Sequence, residues 1–185
     1  MERTVFDKNQ KAGFTLIEVL VVVAMIGILS GIGVASLRNA VINNRVRGEA
    51  RSLAAFYESV SSRAKQVADT LCVIPSGTQI LARSYAGGAC TGAALDSFAL
   101  EPGFSVAALS SFASVPGFSS QGDAKNWNET DVAIFYPRIG LMNISGEGYI
   151  AVKYSDRYGA VAKVRTDNKF LSFASYDGGS SWDRL

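Results

Sequence analysis

K-A-G-F-T-L-I-E-V, Lys11 to Val19, runs without a break into the apolar stretch that ends at Leu37, and the fold is read outward from it. A glycine precedes an aromatic residue, and a lone carboxylate, Glu18, stands four residues after Phe14. The residues before this junction, Met1 to Gly13, are short, polar and charged, with Arg3, Lys8 and Lys11 set against Glu2 and Asp7. The residues after it, FTLIEVLVVVAMIGILSGIGVASL from Phe14 to Leu37, have membrane length, since a helix needs ~20 apolar residues to cross the hydrocarbon. The run is longer than the apolar core of a secretory signal and no A-x-A cleavage site follows it, so it is expected to stay in the mature chain. Within it Glu18 is conspicuous, because a carboxylate in a membrane helix costs ~2.5–3.5 kcal/mol and so calls for a partner. The competing reading is a tolerated glutamate, close enough to one end of the run to reach the interface.

Beyond Leu37 the pattern turns helical and amphipathic. Ile42, Val46, Ala50, Leu53, Tyr57, Val60, Ala64, Val67 and Leu71 step by threes and fours, with Arg45, Arg51, Ser52, Ser59, Ser62 and Lys65 on the other face. The first proline is Pro75, so one helix is expected from about Phe14 to about Ala68. Gly27, Gly31 and Gly33 interrupt its apolar half at ~1 kcal/mol each relative to alanine. Gly27 and Gly31 also form a GxxxG spacing, which permits close helix packing in a membrane and is equally compatible with the ordinary glycine enrichment of membrane helices.

Pro75 to Thr130 is rich in Gly, Ser and Ala without a sustained period and reads mostly as loops, with a short strand over Thr78–Arg83. Strand-like runs follow at Val132–Tyr136, Tyr149–Tyr154, Ala160–Thr166 and Phe170–Tyr176, the last two joined by turn residues Asp167 and Asn168. Alternation in Tyr149–Tyr154 puts Ile150, Val152 and Tyr154 on one face and Ala151 and Lys153 on the other, so that one face can pack on the helix.

Composition narrows function. The 185 residues suffice for one membrane segment and one small head with its own core. From Asp69 onward nine Lys and Arg face eleven Asp and Glu, so charge implies no nucleic-acid partner. There is no histidine, which removes the commonest general base and metal ligand, and no GxSxG elbow, SxxK pair or GxxxxGK loop is present. No enzyme activity, catalytic residue, cofactor or metal is expected. Cys72 and Cys90 are the only cysteines. With the head outside the cytoplasm a disulfide is the natural reading, worth ~3 kcal/mol on the chain-entropy argument, and two separate buried thiols are the alternative. Lys8 and Lys11 favour a cytoplasmic N-terminus, although the arginines at 38, 45, 47 and 51 pull the other way.

GFTLIEVLVVVAMIGIL, with its charged leader, glycine, phenylalanine, glutamate and apolar length together, resembles the class III signal and N-terminal helix of type IV pilins and type II secretion pseudopilins. The likeness covers about the first third of the chain. It implies cleavage after Gly13 by a prepilin peptidase, N-methylation of Phe14 by the same peptidase/N-methyltransferase, and use of Glu18 in filament assembly. Cleavage would create an α-amino group one helical turn before Glu18, able to neutralise it within the chain or on a neighbouring subunit. The order of the remainder, a long helix, variable loops with a cysteine pair, a strand near IFYPRIGL at Ile134–Leu141 and a closing meander, is most similar to minor GspH/FimT-type subunits.

The expected architecture is therefore α+β and pilin-like, a long N-terminal helix packed against an antiparallel sheet of four or more strands. Its parts are a leader peptide over 1–13, a transmembrane or filament-core half of the helix over 14–37, an amphipathic half over 38–70 and a β-rich head over 71–185. The resemblance implies a minor, priming or tip subunit, inserted once in the inner membrane with a periplasmic head and then built into a pilus or pseudopilus. Its partners would be other pilin subunits and the inner-membrane assembly machinery. A major pilin and an uncleaved, membrane-anchored periplasmic binding domain are the alternatives.

Three weaker signals have plain explanations. Asp177 and Asp183 flank glycines in YDGGSSWDRL, and an ordinary solvated turn explains them more simply than a calcium loop. Lys163, Arg165 and Lys169 could form a basic stripe on a hairpin, for which a solvated outer face suffices. The Asn-x-Ser/Thr triplets at Asn128 and Asn143 are short enough to arise by chance.

Overall fold

The computed structural model describes residues 13–107, 125–127, 131–138, 140–141, 148–163 and 169–185. The expected leader before Gly13, the expected turn at Asp167 and Asn168, Arg165, Asn128 and Asn143 lie outside these residues. The chain is α+β: one long helix, α1 (Leu16–Val67), precedes a series of short strands that form antiparallel sheets. It divides into two compact units, Met1–Val41 and Ile42–Leu185.

In the first unit α1 is an uninterrupted apolar helix with an 18-residue window long and apolar enough to cross a membrane, none of it buried. Leucine, valine, alanine and isoleucine form it, and among the described residues nothing covers the large side chains: Phe14, Leu16, Leu29 and Val34 are exposed.

The second unit begins with the amphipathic part of α1. Val46, Ala50, Leu53, Tyr57, Val60 and Ala64 are fully buried, the stripe that the three-and-four spacing predicts. Burying each large apolar side chain is worth ~1.5–3 kcal/mol, so four of them outweigh the ~1 kcal/mol that Gly48 costs a helix interior. The stripe ends one turn earlier than expected. Val67 is 52% exposed and Leu71 belongs to the first strand, because the helix stops as Ala68 turns left-handed at φ 53°. Arg45, read as a member of the solvent face, is instead half-buried and bonded to Glu101.

Two sheets follow. In the first, β1 (Leu71–Ser76), β2 (Gln79–Ala86), β3 (Ala89–Ala99), β6 (Ala133–Tyr136) and β7 (Gly140–Leu141) lie in the order β3-β2-β1-β6-β7. In the second, β4 (Ser105–Ala107), β8 (Gly148–Tyr154), β9 (Arg157–Lys163), β10 (Leu171–Ser175) and β11 (Asp183–Arg184) lie in the order β11-β10-β9-β8-β4, and β5 (Lys125–Asn126) pairs with β8 in parallel. The meander β8–β10 stands close to where alternation places it, although β9 begins at Arg157 rather than Ala160.

The short strand expected over Thr78–Arg83 is present within β2, but the loops expected over the rest of residues 75–107 are largely strand. Three strands occupy Leu71–Ala99 there, joined by two-residue turns at Gly77-Thr78 and Gly87-Gly88. Both glycines of the second turn have positive φ, as the favoured hairpin turns require. β3 escaped notice because it is almost wholly exposed, so no buried face imposes a period of two on its sequence.

Both sheets contribute to one core with the helix. Leu71, Val73 and Ile80 from the first sheet and Ile150, Val152 and Val161 from the second pack in the same cluster as Val46, Leu53 and Val60. Gly159 permits the close approach of β9 to the helix, since a Cβ there would lie 3.1 Å from both the Ala50 Cβ and the Val46 carbonyl oxygen. Tyr57 stacks on Trp127 with centroids 5.4 Å apart, and Gly148 leaves room for that indole, which a Cβ would meet at 2.4 Å. The opposite face of the second sheet buries Tyr149, Ala151, Phe173 and Trp182 in a smaller cluster. Ile150 and Ala151 thus face different clusters, as their alternation predicts, but both are buried.

Candidate processing and assembly segment

Thr15 opens α1 as an N-cap. Its carbonyl oxygen accepts the first helical bond from the Val19 amide at 3.2 Å, and its Oγ1 accepts from the Glu18 amide at 3.3 Å. Thr15-Leu16-Ile17-Glu18 has the T-x-x-E spacing of a capping box, which places a carboxylate at the third helical position. That role is readable from spacing ahead of an apolar run, and the sequence reading above missed it. It does not by itself account for Glu18. A carboxylate in the first turn gains ~0.3–1 kcal/mol from the helix dipole, well short of the ~2.5–3.5 kcal/mol it costs in lipid.

The surroundings of Glu18 are apolar. It shares a shallow groove with Phe14, Val19, Val22 and Val23, and no ion pair involves it among the described residues. Gly13 is exposed and lies ahead of the helix, and Phe14 is 82% exposed, so the peptide bond between them is accessible. A Cβ added at Gly27, Gly31 or Gly33 would meet nothing within 4 Å, so their small size serves no packing among the described residues.

Residues 8–34 match the prokaryotic N-terminal methylation motif. The methylation motif takes in Gly13, Phe14 and Glu18 together with most of the membrane-length run, and it supports a type IV pilin-like character for this segment. No curated protein and no solved structure matches the chain.

The head holds the other residues singled out by the sequence, apart from the methylation motif. Cys72 on β1 and Cys90 on β3 are bonded to each other with Cα atoms 5.9 Å apart, joining the two strands that flank β2. The Asp177 carboxylate accepts hydrogen bonds from the Ser181 hydroxyl, the Ser181 and Ser180 amides and the Ser175 hydroxyl. The Ser181 bonds, with that from Ser175, hold this carboxyl well below the usual carboxylate range. The turn it organises brings Trp182 Nε1 to the Gly179 carbonyl oxygen at 3.2 Å, so Asp177 acts as a loop organiser. Asp183 is exposed on β11, and among the described residues no group of three His, Cys, Asp or Glu side chains is placed to hold a metal ion. Lys163 closes β9 half-buried and Lys169 is exposed.

Proposed function

We propose that this chain is a structural, non-catalytic subunit of a type IV pilus-like filament or secretion pseudopilus, of the minor class that primes or tips the filament. The observation that carries the reading is the methylation motif at residues 8–34, lying at the head of a membrane-length helix whose large apolar side chains are exposed. A prepilin peptidase cuts between Gly13 and Phe14 and the new amino group is methylated. The subunit waits in the inner membrane with its head in the periplasm until the assembly machinery extracts it. The exposed apolar helix then packs against the same helix of other subunits, and burial of that surface supplies most of the cohesion. The new amine, one turn before Glu18, supplies the counter-charge that cap and dipole leave wanting. An unpaired charge in a buried helix bundle penalises every other stagger, so the pair selects register. The minor class is supported by the order of long helix, cysteine-linked strands and closing meander.

Intact-mass and N-terminal analysis of the protein extracted from membranes tests the reading. A chain beginning at methylated Phe14 is expected, and an intact Met1 end in cells with active peptidase would leave an uncleaved anchored domain in its place. Abundance in sheared filaments separates the classes, since a trace component is expected and a dominant one would make this the major subunit.

A further inference from the structure

One short stretch of α1, Asn43 to Glu49, carries an unusual number of polar contacts to distant parts of the head. Arg45 is the centre: its Nε donates to Glu101 Oε2 at 3.1 Å, its Nη2 to the Pro102 carbonyl oxygen at 3.0 Å and its Nη1 to the Tyr154 hydroxyl at 3.2 Å. The guanidinium also lies 4.8 Å from the Tyr154 ring centroid and 5.7 Å from that of Phe104. One turn further on, Glu49 is 4% exposed and accepts the Glu101 amide at 3.1 Å. Arg45 and Glu49 therefore hold residues 101–104, the connection by which the chain passes from the first sheet to the second. Arg47 donates to the Tyr176 hydroxyl just beyond β10, and Arg157 at the start of β9 donates to Asn43 Oδ1.

We infer that Asn43–Glu49 forms a polar collar through which the head fixes the rotation and axial position of the helix at the first turns that enter it. The apolar stripe from Val46 to Ala64 supplies more energy but little direction, because apolar burial is non-directional. A guanidinium fork with three acceptors and two rings is directional. Turning the helix by one residue, about 100°, would break all three of its bonds. A solvent-screened ion pair such as Arg45–Glu101 adds little to global stability, so the collar acts on local opening at these turns. It does so whether or not the chain polymerises.

Amide hydrogen exchange on the full chain in detergent tests this, comparing wild type with an Arg45→Ala/Arg47→Ala/Arg157→Ala variant. Exchange over residues 43–49 is expected to quicken at least tenfold while residues 53–64 keep their protection. Unchanged protection at 43–49 would overturn the collar, and so would equal acceleration through residue 64, which marks plain global destabilisation. If the triple variant does not fold, Tyr154→Phe/Tyr176→Phe decides, since it keeps both rings and removes only two hydroxyl partners. Faster exchange confined to 43–49 supports the collar, and an unchanged pattern sinks it.

Discussion

Two carboxylates on one helix meet opposite surroundings. Glu18 is exposed on an apolar surface, whereas Glu49 is buried beneath the connection between the sheets, where it accepts the Glu101 amide. Burial, chiefly, pushes the Glu49 carboxyl above its ordinary value of 4.5, against the opposing effects of the Glu101 amide and Arg45. The folded chain therefore keeps this proton to a higher pH than the unfolded chain does. The contribution of this group to stability falls as pH climbs from 4.5 through the folded pKa, and is constant above it. Glu49→Gln retains an oxygen for the Glu101 amide and removes the charge. Thermal unfolding between pH 4 and 8 is expected to show the variant gaining on wild type as pH rises. Parallel curves would mean that Glu49 titrates alike in both states.

Among the elements, the disulfide-linked strands yield the clearest expectation. Cys72 and Cys90 lie 18 residues apart, and closing a loop of that size restrains the unfolded chain by ~3 kcal/mol. Replacing both by serine should lower the denaturant midpoint and steepen the slope as the unfolded chain expands, and an unmoved midpoint would show that the bridge restrains nothing. One of these strands, β3, is also where sequence reading failed, whereas most of β2 was legible as Thr78–Arg83. The helix was legible because a buried face stamps its period on Val46 to Ala64 in threes and fours, and the β8–β10 meander because strands buried on both faces read as short apolar runs bounded by turn residues. In β3 the residues from Thr91 to Leu95 are all exposed and the pairing with β2 shifts register across them, so no buried face marks a period of two there. Arg45 misled for a related reason. Its spacing placed it beside the stripe, but its acceptors at Glu101 and Tyr154 come from far along the chain. At the methylation motif, Gly13, Phe14 and Glu18 were legible as a constellation, while the Thr15 cap was visible in its spacing and passed over.

For the molecule as a whole, the two units handle apolar surface in opposite ways, the head burying its own and the Met1–Val41 unit leaving its own exposed. On the proposed function a surface of that kind is covered first by lipid and then by other subunits, and we propose that Glu18 acts in the change from one to the other. Glu18→Ala is expected to leave cleavage, membrane insertion and the thermal unfolding of the head as in wild type, because the residue belongs to the first unit and not to the second, which holds the core. Its incorporation into filaments should fall at least tenfold, read as the ratio of sheared to membrane-bound protein. Thr15→Ala separates charge from capping: it removes the N-cap, worth ~1 kcal/mol, and leaves the carboxylate in place. If the pair with the new amine sets register, Thr15→Ala assembles nearly normally while Glu18→Ala does not. Equal defects in both would assign the junction to helix initiation, and normal incorporation of Glu18→Ala would remove the register role altogether.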